Sequence, residues 1–392
     1  MTVVSAEFEN GTLVLSVHGR LDTNSAPEAE TFVREACAQY ETEHVLLDME
    51  DAEYVSSAGL RVVLRLRREK PALRVVNVQS EVYEIFDMTG FTEMMPVEKA
   101  YRRLSVEGCP VIGKGAKGTV YRYSPDTVVK VYRDPDSLPD IRRERELARR
   151  AFVLGIPTAI SYDIVKVGES YGSVFELLDA RSYSMLIAED PENLDRYVRD
   201  FAKLLRQIHA TAVRPEDMPD VREQTETWTD AAAPYLSAED SAKLVSLIAA
   251  VPETGNMLHC DYHTNNVMMQ NGETLLIDMD TLCRGNPVFE LANVFACYVC
   301  FTELDPENVE AFMGFPRETA FRVWERFLRF YLDTEDEETL RTAEQKIRLL
   351  GWTRTLRHIT RHSASPEALH RSTAYCAERI HTLLEEIHTL EI

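Results

Sequence analysis

The sequence predicts an α/β unit over residues 1–100, followed by an α+β unit over 105–392 that opens with β-structure and closes as helices. Three observations predict this. In the first hundred residues, short apolar β-branched runs alternate with segments whose apolar residues fall at helical spacing. Around residues 98–108 that alternation gives way to clustered glycines and β-branched residues. Beyond residue 290 the spacing stays mostly helical to the end. A chain of 392 residues is also too long for one ordinary core.

In chain order, "SAEFEN" and "TLVLSVHG" flank Asn10-Gly11, a strong hairpin signal. "APEAETFVREACAQY" has helical spacing, and "EHVLLDME" is a short apolar strand. "SSAGLRVVLRLRREK" reads as a helix capped by serine, with basic residues in its last turn. "ALRVVNV" is a strand, and "EVYEIFDMTG" is a helix stopped by Gly90. In the second unit, "TVYRY" and "TVVKVY" are strands, "DIRRERELARRAFVL" is a charged helix ending at Gly155 and Pro157, and "YGSVFELL" is a further strand. "NLDRYVRDFAKLLRQIH" places Leu194, Val198, Phe201, Leu205 and Ile208 on one helical face.

Composition narrows the function classes. Sixty-five acidic residues against 43 basic ones give a formal charge of -22. Phosphate backbones demand a surplus of cations, so nucleic-acid binding is not expected. Cationic small molecules would be tolerated. No apolar run approaches the roughly 20 residues of a membrane span, and the first residues lack the basic start of a secretory signal, so no membrane association is expected. Seven scattered cysteines suit reduced thiols, hence a cytoplasmic location. Cys297 and Cys300 form a lone CxxC within an apolar run, which reads as helix packing rather than a zinc site. His358 and His362 read as a basic helix face, and His209 as structural.

The chemistry lies in the second unit. Gly113-x-Gly115-x-x-Gly118-x-Val120 sits between two strands, where backbone N–H groups can face phosphate oxygens. A dinucleotide fold needs a helix after this motif; a strand stands there instead. Lys130 stands on an apolar strand and needs a partner if buried. Glu144 and Glu146 lie on the next helix, and helix length favours Glu146.

"LHCDYHTNNVMM", residues 258–269, first looks like a His259–Asp261–His263 metal cage. The segment after it points elsewhere. Val267–Met269 and Thr274–Ile277 form a predicted hairpin about Asn271-Gly272, which returns Asp278 toward Asp261 and Asn266. Two carboxylates and an amide oxygen suit Mg²⁺ and not tetrahedral zinc. The expected roles are phosphate clamping by Lys130, acceptor orientation by Asp261, and metal binding by Asn266 and Asp278. Asp280 is a further ligand or a group beside the metal, and the histidines shape the loop.

"HCDYHTNN" resembles the HxDxxxxN loop of the aminoglycoside phosphotransferase and choline kinase-like families. "IDMD" resembles their metal-binding segment, and "GNPVFELA" the stretch after it, with Glu290 where those families carry Asp. Other departures are Cys260 and Asn265 in place of glycine and Thr264 in place of proline. The resemblance implies an ATP-binding, kinase-like fold with a small β-rich lobe over about 105–178 and a large helical lobe over about 179–392. It also implies that the backbone at Glu176 to Leu178 meets the adenine. In the first unit, "DMEDAEYVSSAGLRVVL" resembles the STAS domain of anti-sigma factor antagonists, and Ser57 matches that family's regulatory phosphoserine.

The expectation is an ATP- and Mg²⁺-dependent phosphotransferase with an N-terminal STAS regulatory domain. Its acceptor is a small hydroxylated molecule, including aminoglycoside-like cations. The alternatives are a protein serine kinase acting on Ser57, or a nucleotide sensor that engages a protein partner in a sigma-factor pathway.

Overall fold

A computed structural model of the protein describes residues 3–40, 42–115, 117–362 and 365–392. The chain divides into two units, one formed by residues up to 107 with 164–172, the other by 108–163 with 173–392.

The first unit is a five-stranded sheet in the order β1-β2-β3-β4-β5. Its strands are β1 (Val4–Glu9), β2 (Thr12–Leu21), β3 (Val45–Val55), β4 (Arg74–Val78) and β5 (Val97–Lys99). β1 and β2 are antiparallel across Asn10 and Gly11, both with positive φ, which is the twist a tight two-residue hairpin needs. The remaining pairs are parallel. Helices α1 (Ala26–Gln39), α2 (Ser57–Glu69), α3 (Ser80–Met88) and α4 (Phe91–Met94) make the connections. Alternate β2 residues Leu13, Leu15 and Val17 are buried, as are Val63, Leu66 and Phe86 of the helices. α2 starts tightly against β2: a side chain on Gly59 would fall 2.3 Å from the Leu21 carbonyl oxygen. Residues 164–172 join this unit through Lys166, whose N–H bonds Arg102 O and whose carbonyl accepts from Leu104 N–H, each at 2.9 Å.

The second unit opens with β6 (Val111–Lys114), β7 (Gly118–Arg122) and β8 (Thr127–Tyr132), then α5 (Leu138–Val153). β6 to β8 form an antiparallel meander. Next in the chain come strands β9 (Asp163–Val167) and β10 (Ser170–Glu176), whose residues 164–172 belong to the first unit, then β11 (Arg181–Ser182) and helices α6 (Tyr183–Glu189), α7 (Leu194–Ala210), α8 (Arg222–Ala232) and α9 (Ala238–Ala249). All five predicted core residues of α7 are buried. Short strands β12 (Met257–Leu258), β13 (Val267–Gln270), β14 (Glu273–Leu276) and β15 (Cys283–Arg284) carry the loops of interest. β13 and β14 pair across Asn271 and Gly272, again both with positive φ. The chain ends in α10 (Pro287–Phe295), a π-helical turn (Ala296–Cys300), α11 (Phe301–Leu304), α12 (Pro306–Met313), α13 (Arg317–Leu332), α14 (Glu337–His362) and α15 (Pro366–Glu386). Pro287–Leu304 is apolar and long enough to cross a membrane by composition, but 72% of it is buried within the protein. Cys300 of the CxxC lies in that buried stretch and Cys297 is partly exposed.

Candidate active site

Lys130 sits on β8 opposite Val120 of β7, and only 17% of its side chain is exposed. Its ammonium bonds Glu144 Oε1 at 3.1 Å and Asp278 Oδ1 at 2.8 Å. The hydroxyl of Tyr132 donates to the other Glu144 oxygen at 2.8 Å. Burial would push the Lys130 pKa down, but the charges of Glu144 and Asp278 outweigh it and hold it above its ordinary value. Lys130 therefore stays charged across the physiological range.

The glutamate facing Lys130 is thus Glu144, and the expectation of Glu146 is corrected. Residues two apart on a helix point away from each other. Glu144 falls on the buried face of α5 with Ile141, Leu147, Ala148 and Ala151. Glu146 turns outward and binds Arg149 at 2.9 Å and Arg150 at 2.8 Å.

Gly113 in β6, Gly115 after it and Gly118 at the start of β7 have unequal reasons to be glycine. A side chain on Gly118 would meet the Val131 carbonyl oxygen at 2.4 Å, so strand packing excludes one. On Gly113 it would meet nothing closer than Val120 at 3.6 Å, and on Gly115 nothing closer than 4.0 Å. None of the three has a positive φ. Neither fold nor backbone conformation accounts for glycine at 113 and 115; the space beside them stays open.

The loop after β12 is held from several sides. The fully buried carboxylate of Glu290 accepts the N–H groups of His259 and Cys260, both at 2.7 Å. His209 Nε2 lies 2.9 Å from the same carboxylate and Nδ1 2.7 Å from the Tyr331 hydroxyl. Thr281 donates to the His259 carbonyl, and Asn293 to that of Cys260. Farther along, the Tyr298 hydroxyl accepts from Thr264 N–H at 2.9 Å, and Ser184 Oγ lies 2.7 Å from Thr264 Oγ1. Cys260 adopts φ 65°, a left-handed conformation that persists only where surroundings enforce it.

Asp261 projects from this frame with 41% of its side chain exposed. Asn266 Nδ2 donates to its carbonyl at 3.0 Å and to Oδ2 at 3.3 Å, which leaves the amide oxygen of Asn266 as an acceptor. His263 Nε2 lies 3.6 Å from Oδ2, and His259 Nδ1 accepts from the Asp261 N–H. Burial would raise the Asp261 carboxyl; the His263 interaction, with the charges of His259 and Arg354, holds it well below the usual carboxylate range.

Asp278 also takes a left-handed backbone, φ 62°, at the end of the hairpin. Oxygens of Glu144, Asp278 and Asp280 lie within 4.8 Å of one another. Asp280 is engaged by Lys117 from the glycine loop. At the end of β10, Leu177 N–H bonds the Asp126 carbonyl at 2.8 Å. Among the described residues, no backbone carbonyl accepts from Leu178 N–H. Glu176 is exposed.

Ser57 belongs to the first unit. It is exposed at the first turn of α2, and Ser56 does the capping, accepting from Ala58 N–H at 3.1 Å and Gly59 N–H at 3.5 Å. Among the described residues nothing hydrogen-bonds the Ser57 hydroxyl.

Sequence reasoning missed the work done by Glu290 and by Tyr298. The signal for Glu290 was present: a lone carboxylate in the apolar run "NPVFELANVF" must be paired if the helix is buried.

A lysine locked between two carboxylates, beside an aspartate–asparagine loop, defines a kinase-like phosphotransferase. The family comparisons agree. The phosphotransferase enzyme family matches residues 108–326, and the chain belongs to that family. It is a kinase-like phosphotransferase acting on a hydroxyl acceptor, preceded by a STAS domain that matches residues 3–104. The anti-sigma F factor antagonist of Paenibacillus polymyxa is 26% identical over 98 residues, covering 24% of this chain and 84% of that protein. BtrV of Bordetella bronchiseptica, which carries the name of an anti-sigma factor antagonist, is 33% identical over 94 residues, covering 22% of this chain and 78% of its own length. Among solved structures, the ADP-bound aminoglycoside phosphotransferase APH(2'')-Ib aligns at 15% identity and TM-score 0.48, over 77% of this chain and 98% of that one.

Proposed function

We propose that the chain transfers the γ-phosphoryl group of ATP, with Mg²⁺, to the hydroxyl of a small molecule. The observation that carries this reading is the Lys130–Glu144–Asp278 lock, because a desolvated, permanently charged ammonium held by two carboxylates is a phosphate clamp. Open space at Gly113 and Gly115 admits phosphate oxygens to the loop backbone, and Gly118 and Val120 build the strand beneath. The free Leu178 N–H, next to Glu176, suits an adenine ring nitrogen.

The donors fit magnesium, since the carboxylates of Asp278 and Asp280 and the amide oxygen of Asn266 are all hard oxygen. Asn266 and Asp278 would hold the ion, with Asp280 beside them, and when bound it would neutralise charge on the phosphate oxygens. Asp261 accepts a hydrogen bond from the acceptor hydroxyl and aims it. Its depressed pKa makes it a weak base, so orientation outweighs early proton removal, as a loose phosphoryl transition state allows. Seven free thiols fit a cytoplasmic setting.

In the first unit, we read Ser57 as a regulatory phosphosite on a surface for a protein partner. Its hydroxyl is exposed and unneeded for capping, and a phosphate there would be favoured by the α2 dipole. The decisive experiment tracks phosphate from labelled ATP in wild type and in Asp261→Asn. Transfer should vanish while ATP binding stays; undiminished transfer would sink the assignment.

A further inference from the structure

From Gln345 to Pro366 the sequence holds no Asp or Glu, in a chain where acids outnumber bases 65 to 43. This stretch covers the C-terminal part of α14. Earlier in the same helix, Arg341 and Arg348 bind Glu338 and Glu344 one turn away. Arg354, Arg357 and Arg361 have no such neighbour, and among the described residues no carboxylate lies within 4.0 Å of their guanidiniums. Their spacing of three and four puts all three on one helix face, with His358 and His362.

That face lies on the side of the active-site loop. Gly351 lets α14 press onto α10, since a side chain there would fall 2.5 Å from the Phe295 ring. The next turn of chain after α10 carries Tyr298, which holds Thr264 of the loop. His358 stacks edgewise on Phe301 at 4.9 Å and meets His362 at 4.8 Å. Arg354 is half-buried, and its charge acts on both Asp261 and Cys297. Arg357 has a buried Nε with no hydrogen-bond partner, and Arg361 is exposed. The exposed Arg361 and the half-buried Arg354 and Arg357 thus line one face of the helix. His358 is exposed on this face, and desolvation, with the charges of Arg354, His362 and Arg357, pushes it down to about 4.

We propose that this stripe binds the anionic group of the acceptor, so that the molecule phosphorylated is a small hydroxylated phosphate or carboxylate. Its role as acceptor rests on the phosphotransfer reading; the anion site does not. Three neighbouring guanidiniums repel one another and leave the buried Arg357 Nε unsatisfied, and an anion removes both penalties at once. The planar fork of arginine suits phosphate and carboxylate alike. The overall acidity, which taken alone favours a cationic acceptor, is reversed at this face.

Calorimetric titration of the full chain tests this. The probes are inorganic phosphate, glucose 6-phosphate, gluconate, glucose, an aminoglycoside, and an acidic peptide. Glucose 6-phosphate or gluconate should bind at least tenfold more tightly than glucose, and comparing the two separates phosphate from carboxylate as the favoured charge. The triple variant Arg354→Gln/Arg357→Gln/Arg361→Gln should erase that margin, with the thermal unfolding midpoint recorded to confirm its fold. The corresponding triple lysine variant should recover part of it. Equal binding of charged and neutral probes, tighter binding of the aminoglycoside, or anion binding that survives the triple glutamine change would overturn the proposal. Binding of the acidic peptide in place of both small anions would overturn the small-molecule assignment. If glucose 6-phosphate and gluconate receive no phosphate from ATP while anion binding still disappears in the triple glutamine variant, the acceptor role fails and the anion site stands.

Discussion

The loop at 258–267 and the glycine segment from Gly113 to Gly118 share one proposed site, yet they are built in opposite ways. The first is fastened by Glu290, Asn293, Tyr298, Thr281 and Ser184, and even a left-handed cysteine is held in place. The second has the Gly115–Gly118 bond, the Lys117–Asp280 pair and open space. A rigid loop suits a group that must aim a hydroxyl, since a misplacement of an ångström costs about a hundredfold in rate. An open one suits backbone that closes on phosphates only when they are present. The difference teaches that preorganisation is concentrated in the loop at 258–267, the acceptor side in the proposed function.

The largest expected effect comes from removing the aimed group. Asp261→Asn should lower the rate of transfer by about 10²–10⁴, the usual range for a positioned acid–base group, with ATP affinity close to wild type by calorimetry. A rate loss matched by an equal loss of ATP affinity would show that the two loops are not separable.

Next comes the anchor. Glu290→Ala strands two backbone N–H groups and His209 in a buried space, so it should cost about 3–5 kcal/mol in a denaturant titration. A loss below ~1 kcal/mol would mean the loop is held without it.

The glycine loop gives a smaller and more discriminating test. Gly118→Ala should destabilise by about 1–3 kcal/mol, because the methyl group meets the Val131 carbonyl. Gly113→Ala and Gly115→Ala should leave the unfolding midpoint nearly unchanged and weaken ATP binding instead. Equal loss of stability at all three positions would erase the distinction between a packing glycine and a ligand glycine.

These two regions were also unequally legible in the sequence. Hairpins were readable because Asn10-Gly11 and Asn271-Gly272 are local and their positive φ values need nothing from the rest of the chain. The fold class and the ordered set from Gly113 to Asp278 were readable as pattern. The choice between Glu144 and Glu146 turned on which face of α5 is buried, and loop-to-loop distance along the chain carries no such information. Glu290 was noticed as a departure from a family pattern, but its partners lie 30 and 31 residues upstream, so its function belongs to tertiary structure. The arginines of α14 stood in plain sight; only packing against the π-helical turn relates them to Asp261.

The smallest effect concerns pH. The folded state holds the Asp261 carboxyl below its ordinary value, so the unfolded chain takes up that proton first as pH falls. The stabilisation is fully present above the ordinary carboxylate value of about 4 and is lost as pH falls through the folded one. Between about pH 5 and 8, kcat/KM should therefore show no acid limb from this group. His263→Asn removes the imidazole 3.6 Å from Oδ2, whose interaction lowers the Asp261 carboxyl most, and should move the limb of Asp261 upward, toward the ordinary range. A wild-type acid limb already in the pH 5–7 window that shifts up in that variant would show that the folded state does not hold the Asp261 carboxyl low, and the rigid loop would lose its electrostatic half.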